Sequence, residues 1–396
     1  MSTRKDVVIV GAGVLGCSTA YHLGKKGVAS LVIERESIGA RASGKSWAVI
    51  PYPPAMYLLE HIPDKFYSMP VDDTGGMAPF LELFTDTYYR LEDIHGDLKQ
   101  IGGIDFDYGE MTYVNVALDE EEVGFYRQAL EILRSLGHHG CDYLSRDDLT
   151  REYPDLNPAV LGGMAMPMLQ LEPYRYTLGY AQAAEKMGAE FRQGDVVGFG
   201  TKGDRITSVR LASGAEIEAD TVVITAGPWL TQCAGYLGRD IPTTVSQEQC
   251  IRLEFPGTFS KMTLSAPKVA VVPKINGDII IGVSGDKSLA SNMRYVPDEE
   301  EFDHFMELAI DLVPSLDKAR IVEKRGDLEC WNAGPAYAKP ILGPMPGYRN
   351  GYVAGAVGTL GQSMSAGVGR NMADLVTGAV LDHSAAKRMI EYLSPR

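Results

Sequence analysis

VVIVGAGVLGCSTAYHLGKKGVASLVIE, residues 7–34, decides the fold. Val7–Val10 is a short run of β-branched residues, which favours a strand. It is followed by Gly11, Gly13 and Gly16 and then by an apolar-periodic stretch that reads as a helix ending at Gly27. Ser30–Glu34 reads as a second strand, so the unit is βαβ and its strands are parallel. GAGVLG matches GxGxxG: one glycine makes the turn, one lets the backbone approach a diphosphate, and one lets helix and strand pack closely. The positive end of the helix then faces the diphosphate. Glu34 stands 18 positions after Gly16, at a strand end, where a carboxylate accepts hydrogen bonds from ribose hydroxyls. A glycine-rich turn with no nucleotide is the alternative.

Beyond Glu34 the chain reads RESIGARASGKSWAVI, residues 35–50. This is a second small-residue turn, and Arg35, Arg41, Ser43, Lys45 and Ser46 are candidates to contact a pyrophosphate. An NAD fold has no evident need of it, so the reading favours FAD. From Pro51 to about Leu171 the texture is aromatic-rich and irregular, with a helical pattern near 120–136. Tyr174–Phe191 reads as a helix running into a strand, and 194–229 reads as short strands ending in TVVITAG. Residues 231–325 repeat the insert texture, with strands KVAVVPK and DIIIGV and an acidic-start helix, DEEEFDHFMELAIDLV. GYVAGAVGTLGQSMSAGVGRNMADLV, residues 351–376, is strand, glycine-rich turn, helix. Cofactor-like segments at the start, middle and end point to two interleaved domains: a discontinuous α/β Rossmann-like domain of residues 1–50, 172–232 and 327–396, and an α+β substrate domain of 51–171 and 233–326 with a mostly antiparallel sheet.

The 396 residues are enough for two domains. The 52 acidic against 37 basic residues give a net charge of −15, which disfavours nucleic acid or an anionic membrane as partner. No apolar run approaches the ~20 residues that cross a bilayer. The N-terminal apolar stretch carries the glycine motif and no cleavage-like end, so a cytoplasmic location is expected. Cys17, Cys141, Cys233, Cys250 and Cys330 show no paired spacing, and the seven histidines show no metal-site spacing. No metal is expected.

GAGVLG with Glu34, GARASGKSWAVI, TVVITAGPWL and the 351–376 segment together resemble the D-amino acid oxidase superfamily of FAD amine oxidoreductases, which includes glycine oxidase, sarcosine oxidase and D-amino acid dehydrogenase. The resemblance spans about residues 5–380, strong at the FAD motifs and weak in the inserts. It implies oxidation of a C–N bond in a small amine, with hydride passing to flavin N5 and the imine hydrolysing, and with O2 or another electron acceptor reoxidising the flavin. Oxidation of a C–O bond in a 2-hydroxy acid, and an FAD-holding partner subunit of a heteromeric dehydrogenase, are the alternatives. By the same resemblance Gly358, Thr359, Leu360, Gly361 and Gln362 set backbone N–H groups and a helix N-terminus at the flavin pyrimidine ring. Val197 resembles a valine whose backbone contacts adenine, and Gly227 and Trp229 resemble a strand-end motif packed near the FAD, with ordinary core an equal reading for Trp229.

GDLECWNAGPAYAKPILG, residues 326–343, is a loop-like run before the last flavin strand. Aligned on Lys339-Pro340, it puts Asn332 where glycine oxidase-like members have a carboxylate-gripping arginine. Cys330 falls where sarcosine oxidase-like members carry the cysteine bonded to the flavin 8α carbon. Covalent attachment, a non-bonded cysteine beside the flavin and a plain core cysteine stand as alternatives. Ile280 occupies the position of the lysine associated with oxygen activation. Arg175, Arg252, Arg294 and Lys339 are other groups for holding a substrate. Trp47, Tyr52, Trp331 and Tyr337 are candidate pocket walls, and Gln362, Asn332 and Tyr337 the residues placed nearest the chemistry.

Overall fold

A computed structural model of the chain describes residues 5–59, 77–282, 293–333, 339–379 and 393–395. Its strands form two sheets. The first contains β1 (Lys5–Val10), β2 (Ser30–Glu34), β7 (Glu190–Gln193), β8 (Val196–Lys202), β9 (Arg205–Leu211), β10 (Glu216–Ile224), β16 (Ile341–Pro344) and β17 (Gly351–Gly355). The order β17-β10-β1-β2-β7 is parallel throughout. β16 closes one edge antiparallel, and β8 and β9 extend from β10 as an antiparallel flap. Val8, Ile9, Leu31, Val32, Val222 and Val223 have no exposed surface, as strands covered on both faces require.

The second sheet holds β3 (Val49–Pro51), β4 (Gly109–Ala117), β5 (Asp142–Ser145), β6 (Gly162–Gln170), β11 (Thr243–Glu254), β12 (Met262–Ala266), β13 (Val269–Pro273), β14 (Asp278–Gly282) and β15 (Arg320–Asn332). Its order is β15-β11-β14-β13-β12-β4-β6-β3, antiparallel except for β12 beside β4. The expected architecture is present: a parallel, doubly covered α/β sheet drawn from three separated stretches of chain, and a larger, mostly antiparallel one. Two expectations differ. The stretch after Pro51 is ordered where described, as helix Met77–Asp97 and strands β4 and β6, because its aromatic and methionine side chains fill a core between helix Glu120–Ser135 and the sheet. The loop-like run at 326 is the second half of β15 as far as Asn332, its backbone paired with β11 residue by residue from Gly326 opposite Gln249 to Asn332 opposite Thr243. Tertiary pairing there overrides the glycine and polar residues of the local sequence.

Helices Val14–Lys25, Pro173–Lys186 and Gly361–Thr377 pack together beneath the parallel sheet. The first and last cross at van der Waals distance: a Cβ on Gly369 would lie 2.2 Å from Ser18 Oγ and 2.7 Å from the Ser18 carbonyl carbon. Ser18 Oγ donates to Ser365 O at 2.9 Å, so the contact is also a buried hydrogen bond. Tyr176 and Tyr180, fully buried, extend it, with Tyr176 OH 3.0 Å from Ser365 Oγ and 2.9 Å from Tyr180 OH. Because Gly369 has no room for a methyl group, Gly369→Ala is expected to destabilise the protein by about 1–3 kcal/mol, read as a lowered urea midpoint at unchanged m-value.

Candidate functional site

The cleft begins at the βαβ turn. Gly11 has φ of 103° and lies against the Thr225 carbonyl, where a Cβ would sit 2.6 Å from the oxygen, so only glycine fits. Gly16 faces inward, its missing Cβ 2.0 Å from Gly11 O, which lets the helix close on β1. Helix Val14–Lys25 starts with no acidic residue and no side-chain cap on Gly13, and Gly13, Val14 and Leu15 line the cleft. Such an N-terminus favours an anion. Glu34 lines the cleft too, with Oε2 accepting from Ala12 N at 2.8 Å and Oε1 from Glu36 N at 2.8 Å. Its remaining lone pairs are those a ribose would use.

The second turn folds as the short helix Ala42–Lys45 and is fastened on several sides. Ser43 Oγ accepts from Val14 N at 3.0 Å, and Gln362 Nε2 donates to Ser43 O at 2.6 Å, tying this turn to both long helices. Arg41 is ion-paired with Glu36 and lies 3.8 Å from Asp327, while Lys45 reaches Asp327 at 2.8 Å across to β15. Burial alone lowers the Arg41 pKa, but the Glu36 and Asp327 carboxylates outweigh it and raise it overall. Arg35 stacks on Trp229, its guanidinium carbon 4.2 Å from the ring centroid. Arg35, Arg41, Ser43 and Ser46 line the cleft with Gly227 and Trp229, whereas Lys45 is spent on Asp327 outside it. The valine in the wall is Val196; Val197 is 44% exposed, at a register shift between Val196 and Gly198 where β8 bulges against β9.

At the other end helix Gly361–Thr377 begins with neither side-chain cap nor acidic first turn, directly after the turn Gly358–Leu360. Gly358, Thr359, Gly361 and Gln362 line the cleft; Leu360 packs into the core beneath. Trp331 lies on Gly358, where a Cβ would be 2.3 Å from the indole, and its Nε1 donates to Ser246 Oγ at 3.1 Å. Ala356 is held at φ of 54°, a strained value for alanine that the neighbouring wall enforces. Cys330 lines the same wall, and burial pushes its thiol up to about 11.

Other expected residues lie elsewhere. Asn332 does not line the cleft; its Nδ2 donates to Lys339 O at 3.0 Å, joining the end of β15 to the segment just before β16. Tyr337 lies outside the described residues. Tyr52 OH bonds to His138 Nδ1 at 2.9 Å in another cluster. Arg175 is paired with Asp107 at 2.8 Å, and Arg252 lies between Asp278 and Glu323. Ile280 packs with Cys250, Val272 and Trp47. Thr225, Asp195, Glu329, Cys233, Gln232 and Tyr236 also line the cleft and escaped sequence reasoning. Thr225 was recoverable, since it directly follows the strand paired with β1; its Oγ1 donates to Val10 O and Gly11 O at 3.0 and 3.1 Å.

A cleft lined by two helix N-termini, that at Gly361 uncapped and that at Val14 with Ser43 Oγ as an acceptor and neither with an acidic first turn, suits a dinucleotide. Two buried polar atoms on cleft residues have no protein partner: Ser46 Oγ, which can donate to a phosphate or ribityl oxygen, and Gln362 Oε1, which can accept from a ribityl hydroxyl. The residues present therefore fit FAD. A family model described as FAD dependent oxidoreductase matches residues 6–375. The hydrogen cyanide synthase subunit HcnC of Pseudomonas aeruginosa is 25% identical over 375 residues, 88% of each chain. A glycine oxidase of Bacillus licheniformis is 24% identical over 388 residues, 96% of this chain and 94% of the relative. The crystal structure of glycine oxidase from Bacillus cereus superposes with a TM-score of 0.84 at 20% identity, covering 99% of both chains.

Two outcomes follow for the cofactor. Burial pushes the Cys330 thiol up to about 11 and so disfavours the thiolate, the nucleophile that flavin attachment requires. Acid precipitation of the holoprotein is expected to release all of the yellow colour; flavin remaining in the pellet would show a covalent bond. Gln362→Ala removes the donor to Ser43 O and is expected to weaken FAD binding roughly tenfold by fluorescence titration.

Proposed function

The chain belongs to the FAD dependent oxidoreductase family, and we propose that it oxidises the C–N bond of a small primary or secondary amine or amino-acid derivative, the resulting imine then hydrolysing. FAD, when bound, supplies the two-electron acceptor. The residues for holding it are those of the cleft: Gly11, Gly13, Glu34, Arg35, Arg41, Ser43, Ser46, Val196, Gly227, Trp229, Gly358, Thr359, Gly361 and Gln362.

The observation that carries the reading is the composition of this wall. Its described residues include an uncapped helix N-terminus at Gly361 and neither histidine nor lysine; of its carboxylates, Glu34 already accepts from two backbone N–H groups, and Asp195 and Glu329 are the others. A neutral amine releases hydride with the help of its own nitrogen lone pair and needs no protein base, whereas an alcohol must lose its hydroxyl proton to one. The relatives named as glycine oxidase and hydrogen cyanide synthase subunit support the same direction. Gln362, tied to Ser43, acts by positioning the cofactor. Asn332, engaged with Lys339 O, is unsuited to gripping a carboxylate as an arginine does, which favours a substrate held by other groups. Tyr337 remains a proposed pocket residue. The electron acceptor is O2 or another carrier, and the subunit status of one relative makes a partner chain part of the proposal.

Anaerobic mixing with a panel of primary, secondary and cyclic amines is expected to bleach the flavin with at least one member. Bleaching by 2-hydroxy acids alone would move the reaction to C–O oxidation. No bleaching by either class, in a protein that still binds FAD, would make it a cofactor-holding subunit.

A further inference from the structure

Lys274 follows β13 and begins the turn into β14. Its ammonium donates to Trp47 O at 2.8 Å, Leu171 O at 3.0 Å and Ala48 O at 3.4 Å. Arg325, on β15, donates through Nη2 to Ser46 O at 3.1 Å. Three successive carbonyls, those of Ser46, Trp47 and Ala48, therefore accept from cations contributed by the antiparallel sheet. A trans peptide is planar with N–H opposite C=O, so the N–H groups of Trp47 and Ala48 point away from these cations. Ser46, at one end of this run, lines the cofactor cleft with an unpartnered Oγ. Ala48, at the other, has φ of 56°, a left-handed conformation that an L-residue keeps only where its surroundings impose it.

We propose that Lys274 is a positioning residue for the flavin site: its ammonium gathers the carbonyls of Trp47, Ala48 and Leu171, holds Ala48 in its left-handed conformation, and so fixes the backbone that runs on from Ser46, the residue of this run that lines the cleft. The side chain has the right chemistry for this, because three short donors on one compact charge match three convergent carbonyls. Other charged and titratable groups face it at longer range: Glu172 at the cap of helix Pro173–Lys186, Arg325 and Cys250 in the sheet, and Asp107 after helix Met77–Asp97. Burial outweighs the two carboxylates and lowers the Lys274 pKa from 10.5 to about 7. The inference rests on FAD binding alone and is independent of the substrate.

The test compares wild-type holoprotein with Lys274→Met and Lys274→Arg, reading the FAD dissociation constant by fluorescence and the two-electron midpoint potential by dye-coupled titration. Lys274→Met leaves buried carbonyls unpaired and is expected to weaken FAD roughly ten- to a hundredfold, with a more negative potential. Lys274→Arg restores most of both. Ala48→Gly in the Lys274→Met background recovers part of the affinity, since glycine holds φ of 56° unaided. A pH series adds a readout that packing alone would not move. Raising the pH through about 7 removes the proton on which the three-donor arrangement depends, so the FAD affinity and potential of wild type are expected to move toward those of Lys274→Met, while its stability relative to that variant rises up to about pH 10.5 as linkage requires. A folded Lys274→Met protein with FAD affinity within twofold of wild type and an unchanged potential would overturn the proposal. Should that variant fail to fold, Lys274→Gln is read on the same two quantities, and wild-type values there overturn it equally. Failure of every amine to bleach the flavin bears only on the substrate reading.

Discussion

The close crossing of helix Val14–Lys25 with helix Gly361–Thr377 is the contact on which the rest of the structure depends. Each helix begins in the cofactor cleft, and each brings the positive end of its dipole there. The two are separated by more than three hundred residues of sequence, so nothing local sets their relative position. It is set where Gly369 meets Ser18 with no space for a side chain, and where Ser18 Oγ is bonded to Ser365 O. A helix axis displaced by the width of a methyl group would move Gln362 away from Ser43 O and with it the second turn. The parallel sheet is the scaffold for this arrangement: β10 places Thr225 against Gly11 on one side of the cleft, and β17 leads into Gly358 on the other.

The charge of the site is held in an economical way. The chain carries a net charge of −15, yet its cleft suits a dianionic pyrophosphate. Lys45 and Arg41 look in the sequence like phosphate-binding cations, but Lys45 is bonded to Asp327, and Arg41 is paired with Glu36 and close to Asp327. Their work is to fasten the second turn to β15. What remains for the anion is the field of helix termini and backbone N–H groups, which is fixed by the fold, with Arg35 held over Trp229 in the same cleft.

How much of this was legible in sequence depends on the range of the signal. GAGVLG, Glu34, TVVITAG and GTLGQ announce themselves because strand, turn and helix preferences are local and because glycine is required where the backbone approaches a ligand or another chain segment. The parallel β1 and β2 and the helix at Gly361 lie where those signals place them. The run at 326 misled for the opposite reason. Gly326 and Asn332 favour a loop locally, and only pairing with β11 makes them strand. Val196 and Val197 are indistinguishable by composition, and a one-residue shift in a strand exchanges cleft for solvent. Lys274 carries no motif at all, since its partners are carbonyls contributed by residues 47, 48 and 171.

The same geometry explains why the flavin end of the cleft suits electron acceptance better than proton abstraction. The uncapped N-terminus at Gly361 lines the cleft, and so does Ser46, whose carbonyl accepts from Arg325 and whose following carbonyls are turned to Lys274. Both elements favour negative charge developing between them, and neither is a base that takes a proton from the substrate. Cys330, buried beside Ala356 with its thiol pushed up to about 11, adds an apolar surface to that wall instead of a charge. In the proposed amine oxidation the substrate's own nitrogen lone pair would drive hydride loss, and selectivity would then come from which amines the pocket orients toward the cofactor.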